Sequence, residues 1–471
     1  MLVRLPAVFV LATAFAALLT PTGSPAAESA HPDVIVLVAD DLRPDVIQAL
    51  SHGQIETPNL DRLAAEGAAF TRATCAHPLC VPSRAEMMSG CTGLRTGVYS
   101  HGARLPADIV PWPRTMQSAG YHTVHVGKWH LAGTPADYGY DTTAGMFRGG
   151  GTVKPQVDYA GRPVTGYGGW RFYDPDGKPV ADSPTGLTPG IDAKFADAAI
   201  GTIEAKRNGP LFLHVNFTGP HDPRLFPPGY EHKYAADAMR LPANFRPEHP
   251  FDHGNLHGRD EIILPYPRQP DDIRRELAAY YAVVSFVDRQ VGRVLDAVEK
   301  SGRSRQTIVV FTSDHGLAVG SHGLTGKQNM YEHTIGVPLV MRGPGIVPGS
   351  RDSVQCYLRD LYPTLCDLAG VEYPQNLDGR SLVPAMTGKV QQIYPFVVGY
   401  FADSQRMIRT EQWKLIRYLK AGREQLFNLA DDPHELHDVS ALPEHAELMA
   451  RLRKDLATWL KDHGDRGEPG A

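Results

Sequence analysis

Along the chain, short apolar runs repeatedly stop at loops crowded with polar, chemistry-bearing side chains. Residues 34–38 lead into Asp40-Asp41, 121–126 into Gly127-Lys-Trp-His130, 211–217 into Gly219-Pro-His-Asp222, and 308–312 into Asp314-His-Gly316. Runs this continuous, rich in Val and Ile, predict strands buried on both faces of a largely parallel sheet. Helical patterns lie between them. Residues 58–66 follow Thr57, a residue type that caps helices, and 193–205 carry a small-residue helical pattern. From Asp271, the positions Ile273, Leu277, Tyr280, Val284, Val287, Val291, Val294 and Val298 advance by fours and threes, the spacing of one helix face. Alternating strands and helices predict an α/β fold: a large mixed, mostly parallel sheet sandwiched by helices. Ligands of such sheets sit at the carboxyl ends of the strands, where all four polar loops fall.

Two stretches, 134–192 and 222–270, interrupt the alternation with Gly, Pro, His and aromatic residues, and predict insertions over the sheet's functional edge. After about residue 391 the pattern changes to short strand candidates at 396–400, 406–409, 413–418 and 425–428, then a charged helix at 444–460. That predicts a small antiparallel sheet with a helix packed on it. At the other end, Arg4 precedes an apolar run at 7–19, followed by the small residues Ser24-Pro-Ala-Ala27. This reads as a signal peptide over 1–27, too short to span a bilayer, and predicts a secreted or periplasmic protein with no membrane span after its removal. The expected organisation is a signal peptide at 1–27, a catalytic α/β domain at 32–390 and a C-terminal subdomain at 391–471.

Composition narrows the picture without redirecting it. The 471 residues are 42% hydrophobic and 21% charged, with 47 Lys+Arg against 52 Asp+Glu and a net charge of −5. Such a chain is globular, and it has no basic excess to suggest nucleic acid as a partner. The five cysteines, Cys75, Cys80, Cys91, Cys356 and Cys366, form an odd set. In an exported chain an odd set leaves at least one thiol outside internal disulfides.

Candidate chemistry concentrates around Cys80-Val-Pro-Ser-Arg84, which continues as Ala85-Glu-Met-Met-Ser-Gly90. Together with Asp40-Asp41, Gly127-Lys-Trp-His130 and Thr312-Ser-Asp-His-Gly316, this motif resembles the sulfatase family over about residues 33–428. The resemblance implies that Cys80 is converted by a formylglycine-generating enzyme, which reads Ser83, into formylglycine, whose hydrated aldehyde is the nucleophile. It further implies a divalent cation held by Asp40, Asp41, Asp314, His315 and the residue derived from Cys80. Ca²⁺ is the family's usual choice, and Mg²⁺ and Mn²⁺ are the alternatives. The acid cluster suits a hard cation, and a cation suits an anionic ester that repels an approaching nucleophile. His315 stands where the family often has Asn, and imidazole is a softer donor. Ser89 and Cys91 also depart from the family's usual residues.

By the same resemblance, Arg84 reaches the nucleophile and the metal ligands, while Lys128 binds sulfate. His130 takes a proton from the second hydroxyl, and His221 or Lys327 protonates the leaving oxygen. Lys128 and His130 are two apart, so in an extended chain they share a side, and Pro82 suits an early helical position. The implied activity is hydrolysis of sulfate monoesters. Tyr138, Tyr140, Trp170, Arg171, Tyr173 and Arg224 in the insertions add types suited to sugar rings and anionic groups, pointing to a sulfated small molecule or glycan. The alternatives are a phosphonate monoester or phosphodiester hydrolase of the same superfamily, and a non-catalytic glycan-binding protein. Asn216-Phe-Thr218 matches a glycosylation sequon but ends a buried strand, so it is expected to be unmodified. His232, His249, His253 and His257 could line a substrate cleft or lie in a solvated loop. With Cys80 converted, the other four cysteines allow three pairings or remain free thiols. Cys356 and Cys366 are expected in one helix, too far apart to bridge if it is unbroken.

Overall fold

The computed structural model describes residues 31–465 except His52, Pro155 and Thr165, together with Met1 and Leu2. The expected signal peptide, but for those first two residues, lies outside the described residues. Five parallel strands run side by side in the order Thr307–Ser313, Asp33–Asp40, Leu211–Pro220, His122–Lys128 and Thr142–Arg148. Antiparallel Leu339–Arg342, then Ala68–Phe70 and Ser350–Asp352, extend one side, and antiparallel Arg171–Tyr173 closes the other, giving nine strands.

The continuous apolar runs are explained by burial on both faces. Val34, Val36 and Val38 enter one core and Ile35, Leu37 and Ala39 the other, so no position in the strand faces water and alternation disappears. The 31-residue helix Pro270–Lys300 covers the second face, with every residue of its predicted stripe in that core. Asp192–Glu204 and Pro58–Ala65 lie beside it. The first face is covered by Cys80–Ser89, Trp112–Ser118 and Leu361–Ala369.

Several local expectations need correction. Thr57 precedes its helix but makes no side-chain cap; its hydroxyl instead accepts from the Gln48 amide and donates to Asp61. The stretch 134–192 is not only a cover, because Thr142–Arg148 and Arg171–Tyr173 within it join the main sheet. Cys356 and Cys366 do not share a helix. Cys356–Tyr357 pairs as a strand with Ala73–Thr74, and the Asp360 carboxylate caps the turn that separates it from Leu361–Ala369. All five cysteines are buried and unpaired.

The C-terminal strands Val397–Phe401, Gln405–Arg409, Trp413–Tyr418 and Arg423–Asn428 form an antiparallel meander. One face packs on helix Ala446–Asp462 through Met449, Leu452 and Leu456. The other, through Met407, Ile416 and Phe427, meets Ala318, Leu324, Met330 and Tyr331. That contact braces the long loop that follows Asp314 and carries Lys327.

One glycine fixes where Lys128 emerges. Gly127 has φ +86° at a register shift in its strand, and a Cβ there would lie 2.0 Å from the Asn216 carbonyl oxygen. Gly127→Ala is expected to cost about 2–4 kcal/mol through the left-handed φ and the backbone clash. Urea unfolding measures that loss, and a midpoint equal to that of the parent chain would contradict it.

Candidate active site

The carboxyl ends of the parallel strands carry the polar loops, and the structure brings their side chains to one buried point. Helix Cys80–Ser89 starts there, wholly buried, with Cys80 in its first turn. Asp40 Oδ1 lies 3.6 Å from Cys80 Sγ, His315 Nε2 3.4 Å and Lys327 Nζ 3.5 Å. Burial would raise the Cys80 thiol, but Lys128, Lys327 and His315 hold it well below the usual thiol range.

The acids are cross-braced by cations. Lys128 Nζ donates to Asp40 Oδ2 at 2.5 Å, and Lys327 Nζ lies 3.0 and 3.2 Å from the two Asp41 oxygens. Arg84 Nε donates to Asp314 Oδ2 at 3.0 Å and its Nη2 lies 3.6 Å from Asp40. Asp41 has φ +70°, a conformation that Asp tolerates better than most residues; its amide donates to Asp314 Oδ1. Burial and neighbouring Asp40 push Asp314 up to about 7, although His315 and Arg84 pull it down. Burial also opposes ionisation of Asp40, which Lys128 overrides, holding it well below the carboxylate range.

The three imidazoles differ in state for physical reasons. Burial takes His130 down to about 3, leaving its ring neutral. Burial and Lys327 oppose charge on His221, yet Asp41, Asp222 and Asp40 raise it to about 10, leaving a ring that can donate a proton. His315 rises to about 9 against burial, because Asp314, Cys80 and Asp41 face it. Every site residue expected from the sequence, Cys80, Arg84, Lys128, His130, His221, Lys327, Asp40, Asp41, Asp314 and His315, thus falls in this one cluster.

Other participants lie outside the expected catalytic and metal-binding set. The Tyr167 hydroxyl donates to Asp40, and its ring packs 4.9 Å from that of His221 and 5.4 Å from Lys128 Nζ. Asp222 lies 3.0 Å from His221 Nδ1 and is gripped by both Nη atoms of Arg259, at 2.6 and 2.9 Å. Rings of His101 and Trp170 pack 4.8 and 4.9 Å from that of His130. Asn216, noticed only as a sequon, points inward: its Oδ1 accepts from Arg84 Nη1 at 2.6 Å, and the Thr218 hydroxyl donates to Asp192. Of the expected cleft residues, Tyr138 and Tyr140 are core, and Arg224 is buried against Glu276. His249 and His253 do not line a cleft either. They are buried, His249 held by the Phe251 carbonyl and the Tyr331 hydroxyl and His253 by Gln405, where the second insertion packs on the C-terminal sheet. His232 and His257 are exposed.

The nine-stranded, mostly parallel sheet with a small antiparallel C-terminal sheet is the alkaline-phosphatase-like fold. The sequence profile of the Sulfatase family matches residues 32–371, and the chain belongs to the sulfatase family, enzymes that hydrolyse sulfate esters. A second profile, N-sulphoglucosamine sulphohydrolase, C-terminal, matches residues 320–462. The chain is 29% identical to a choline-sulfatase of Rhizobium meliloti over 91% of its own length and 87% of that protein's. It is 26% identical to an N-acetylglucosamine-6-O-sulfatase of Bacteroides thetaiotaomicron, over 93% and 88%. A phosphonate monoester hydrolase from Silicibacter pomeroyi shares the fold, with a TM-score of 0.76 at 23% identity over 92% and 96%.

Proposed function

We propose that the chain hydrolyses sulfate monoesters of sulfated carbohydrate, through a formylglycine made from Cys80 and with a divalent cation. The observation that carries this reading is the convergence on Cys80 of Asp40, His315 and Lys327 within 3.6 Å, in a pocket that also buries Arg84 and Lys128. A sulfate ester needs just such a surplus of positive charge around its oxygens. The names of the relatives support the substrate class, and the leader-like pattern at 1–27 supports a secreted or periplasmic enzyme.

The donor set fits a cation. One ligand atom each from Asp40, Asp41, Cys80 and His315 lies within 4.8 Å of the others, and Asp314 adjoins them through the Asp41 amide. Two buried carboxylates forced together, one with its pKa pushed up to about 7, are relieved by bound positive charge. Asp40, Asp41, Asp314, His315 and residue 80 would hold it. The oxygen-rich set favours Ca²⁺ or Mg²⁺, and the single imidazole leaves room for Mn²⁺. The cation supplies Lewis acidity toward the sulfate oxygens, and the hydrated aldehyde supplies the nucleophilic oxygen.

The chain's own residues do the rest. Lys128, Lys327 and Arg84 bind and orient the sulfate and hold the nucleophile. His221, charged and aligned by Asp222, donates a proton to the departing alcohol. His130, neutral, removes a proton from residue 80 so that sulfate is released.

Parallel assays of the sulfate, phosphate and phosphonate esters of 4-nitrophenol test the class. The sulfate ester is expected to react fastest, and chelation to lower its rate at least about 10-fold with recovery on adding Ca²⁺ or Mn²⁺. A preference for phosphate or phosphonate by orders of magnitude would move the chain to the alternative hydrolase. Binding of sulfated glycan without turnover, in protein carrying the aldehyde and metal, would make it a lectin.

A further inference from the structure

The strand Thr142–Arg148 runs parallel to His122–Lys128, and Phe147 is the residue in register with Lys128. Arg148 is therefore one residue beyond the level of Lys128, at the same carboxyl edge as the active site. On its other side the sheet ends in antiparallel Arg171–Tyr173, whose register sets Arg171 directly opposite Arg148. Phe147 and Phe172 point into the core, so the two arginines share the opposite side of the sheet.

Two like charges directly opposed on a sheet are destabilising unless something lies between them. Among the described residues, neither arginine has a carboxylate within salt-bridge range, although most buried or half-buried arginines of this chain do. Arg148 reaches only the Gly133 carbonyl, at 3.5 Å, and stacks its guanidinium 5.2 Å from the Tyr173 ring. Arg171 has a buried Nε without any partner. Both side chains are half-buried, which leaves them within reach of solvent. The loop that Arg148 touches follows His130 directly, and Trp170, which precedes Arg171, packs its ring 4.9 Å from that of His130.

We propose that Arg148 and Arg171 form an anion subsite beside the reacting sulfate, which takes a second sulfate or carboxylate group of the substrate. The enzyme is thereby suited to polyanionic glycans. This rests on the sulfatase reading of the neighbouring site and names its substrate class more narrowly. A planar pair of guanidinium groups on rigid strands binds a tetrahedral or planar oxyanion through several charge-assisted hydrogen bonds. The anion in turn removes the repulsion that the fold otherwise leaves in place.

The test is calorimetric titration of the full chain with a fully sulfated heparin tetrasaccharide, alongside hydrolysis of 4-nitrophenyl sulfate. Arg148→Gln and Arg171→Gln are each expected to raise Kd about 10-fold, and the double substitution about 100-fold. Arg148→Lys and Arg171→Lys, which keep charge and stem, are expected to retain part of the affinity, separating lost recognition from lost folding. A Kd within twofold of the parent in the double variant, or no binding by the parent, overturns the proposal. Binding that depends on these arginines in a parent chain that hydrolyses no sulfate ester overturns the sulfatase reading instead.

Discussion

Cys80→Ala is expected to lower kcat/KM for 4-nitrophenyl sulfate by about 10⁴-fold or more, the scale of losing a covalent nucleophile. The fold should survive. Residue 80 is 2% exposed, and its sulfur lies within 3.6 Å of polar atoms of Asp40, His315 and Lys327, so truncation trades mainly polar contacts. Circular dichroism melts of the two proteins should therefore agree to within a few degrees. The companion measurement is the mass of the parent peptide containing Cys80, expected to be lighter than the cysteine form by about 18 Da, as an aldehyde replaces the thiol that becomes the nucleophile's precursor. An unmodified thiol in fully active protein would sink the mechanism and leave the depressed Cys80 thiol as the nucleophile in its own right.

The strands were legible because both faces of the sheet are covered: residues 34–38 could be read from an uninterrupted apolar run since Val34 and Ile35 enter different cores. The helix Pro270–Lys300 was legible for the opposite reason, one buried face written at a 3.6-residue period. The site was legible as far as it is built at strand ends, where a motif of a few residues delivers Asp40-Asp41, Lys128 and His130, or Asp314-His315 together. Arg84 belongs here too, carried one helical turn from Cys80.

What stayed hidden are partners delivered from far away in sequence. Tyr167 and Arg259 come from the two insertions, where no periodicity marks which side chain turns inward. The strand at Arg171–Tyr173 has three residues, too few for a pattern, and only pairing with Thr142–Arg148 makes it part of the sheet. The helix expected through Cys356 failed because the Asp360 carboxylate and the pairing with Ala73–Thr74 compete for that backbone, a tertiary effect that local propensity does not contain. Asn216 shows the same limit from the other direction: its sequon is a local pattern, whereas its partner Arg84 lies 132 residues away.

His221→Ala is expected to cost about 10²–10⁴-fold on a sugar sulfate and much less on 4-nitrophenyl sulfate. The argument turns on the leaving group. A nitrophenolate departs as an anion and gains little from a proton, whereas a sugar alkoxide cannot leave without one. His221 is placed for that donation, since its Nδ1 side is tied to Asp222 at 3.0 Å and its Nε2 faces the site, 4.0 Å from Asp41. The flanking acids keep it charged, up to about 10. Lys327 lies nearer to Asp41 than His221 does and is suited to a different task. Its Nζ is held by both Asp41 oxygens and faces Cys80 at 3.5 Å, and Asp41 with Cys80 raises it well above the usual lysine range in spite of burial. A cation so firmly protonated stabilises charge and is a poor donor. Lys327→Ala should therefore lower the rates of both substrates by a similar factor, because what it removes is charge beside the sulfate and nucleophile. A series of aryl sulfates of graded leaving-group pKa separates the two: the dependence should steepen in His221→Ala and keep the parent slope in Lys327→Ala. A steeper slope in the lysine variant alone would transfer the role of acid to Lys327 and leave His221 as the group that orients the ester.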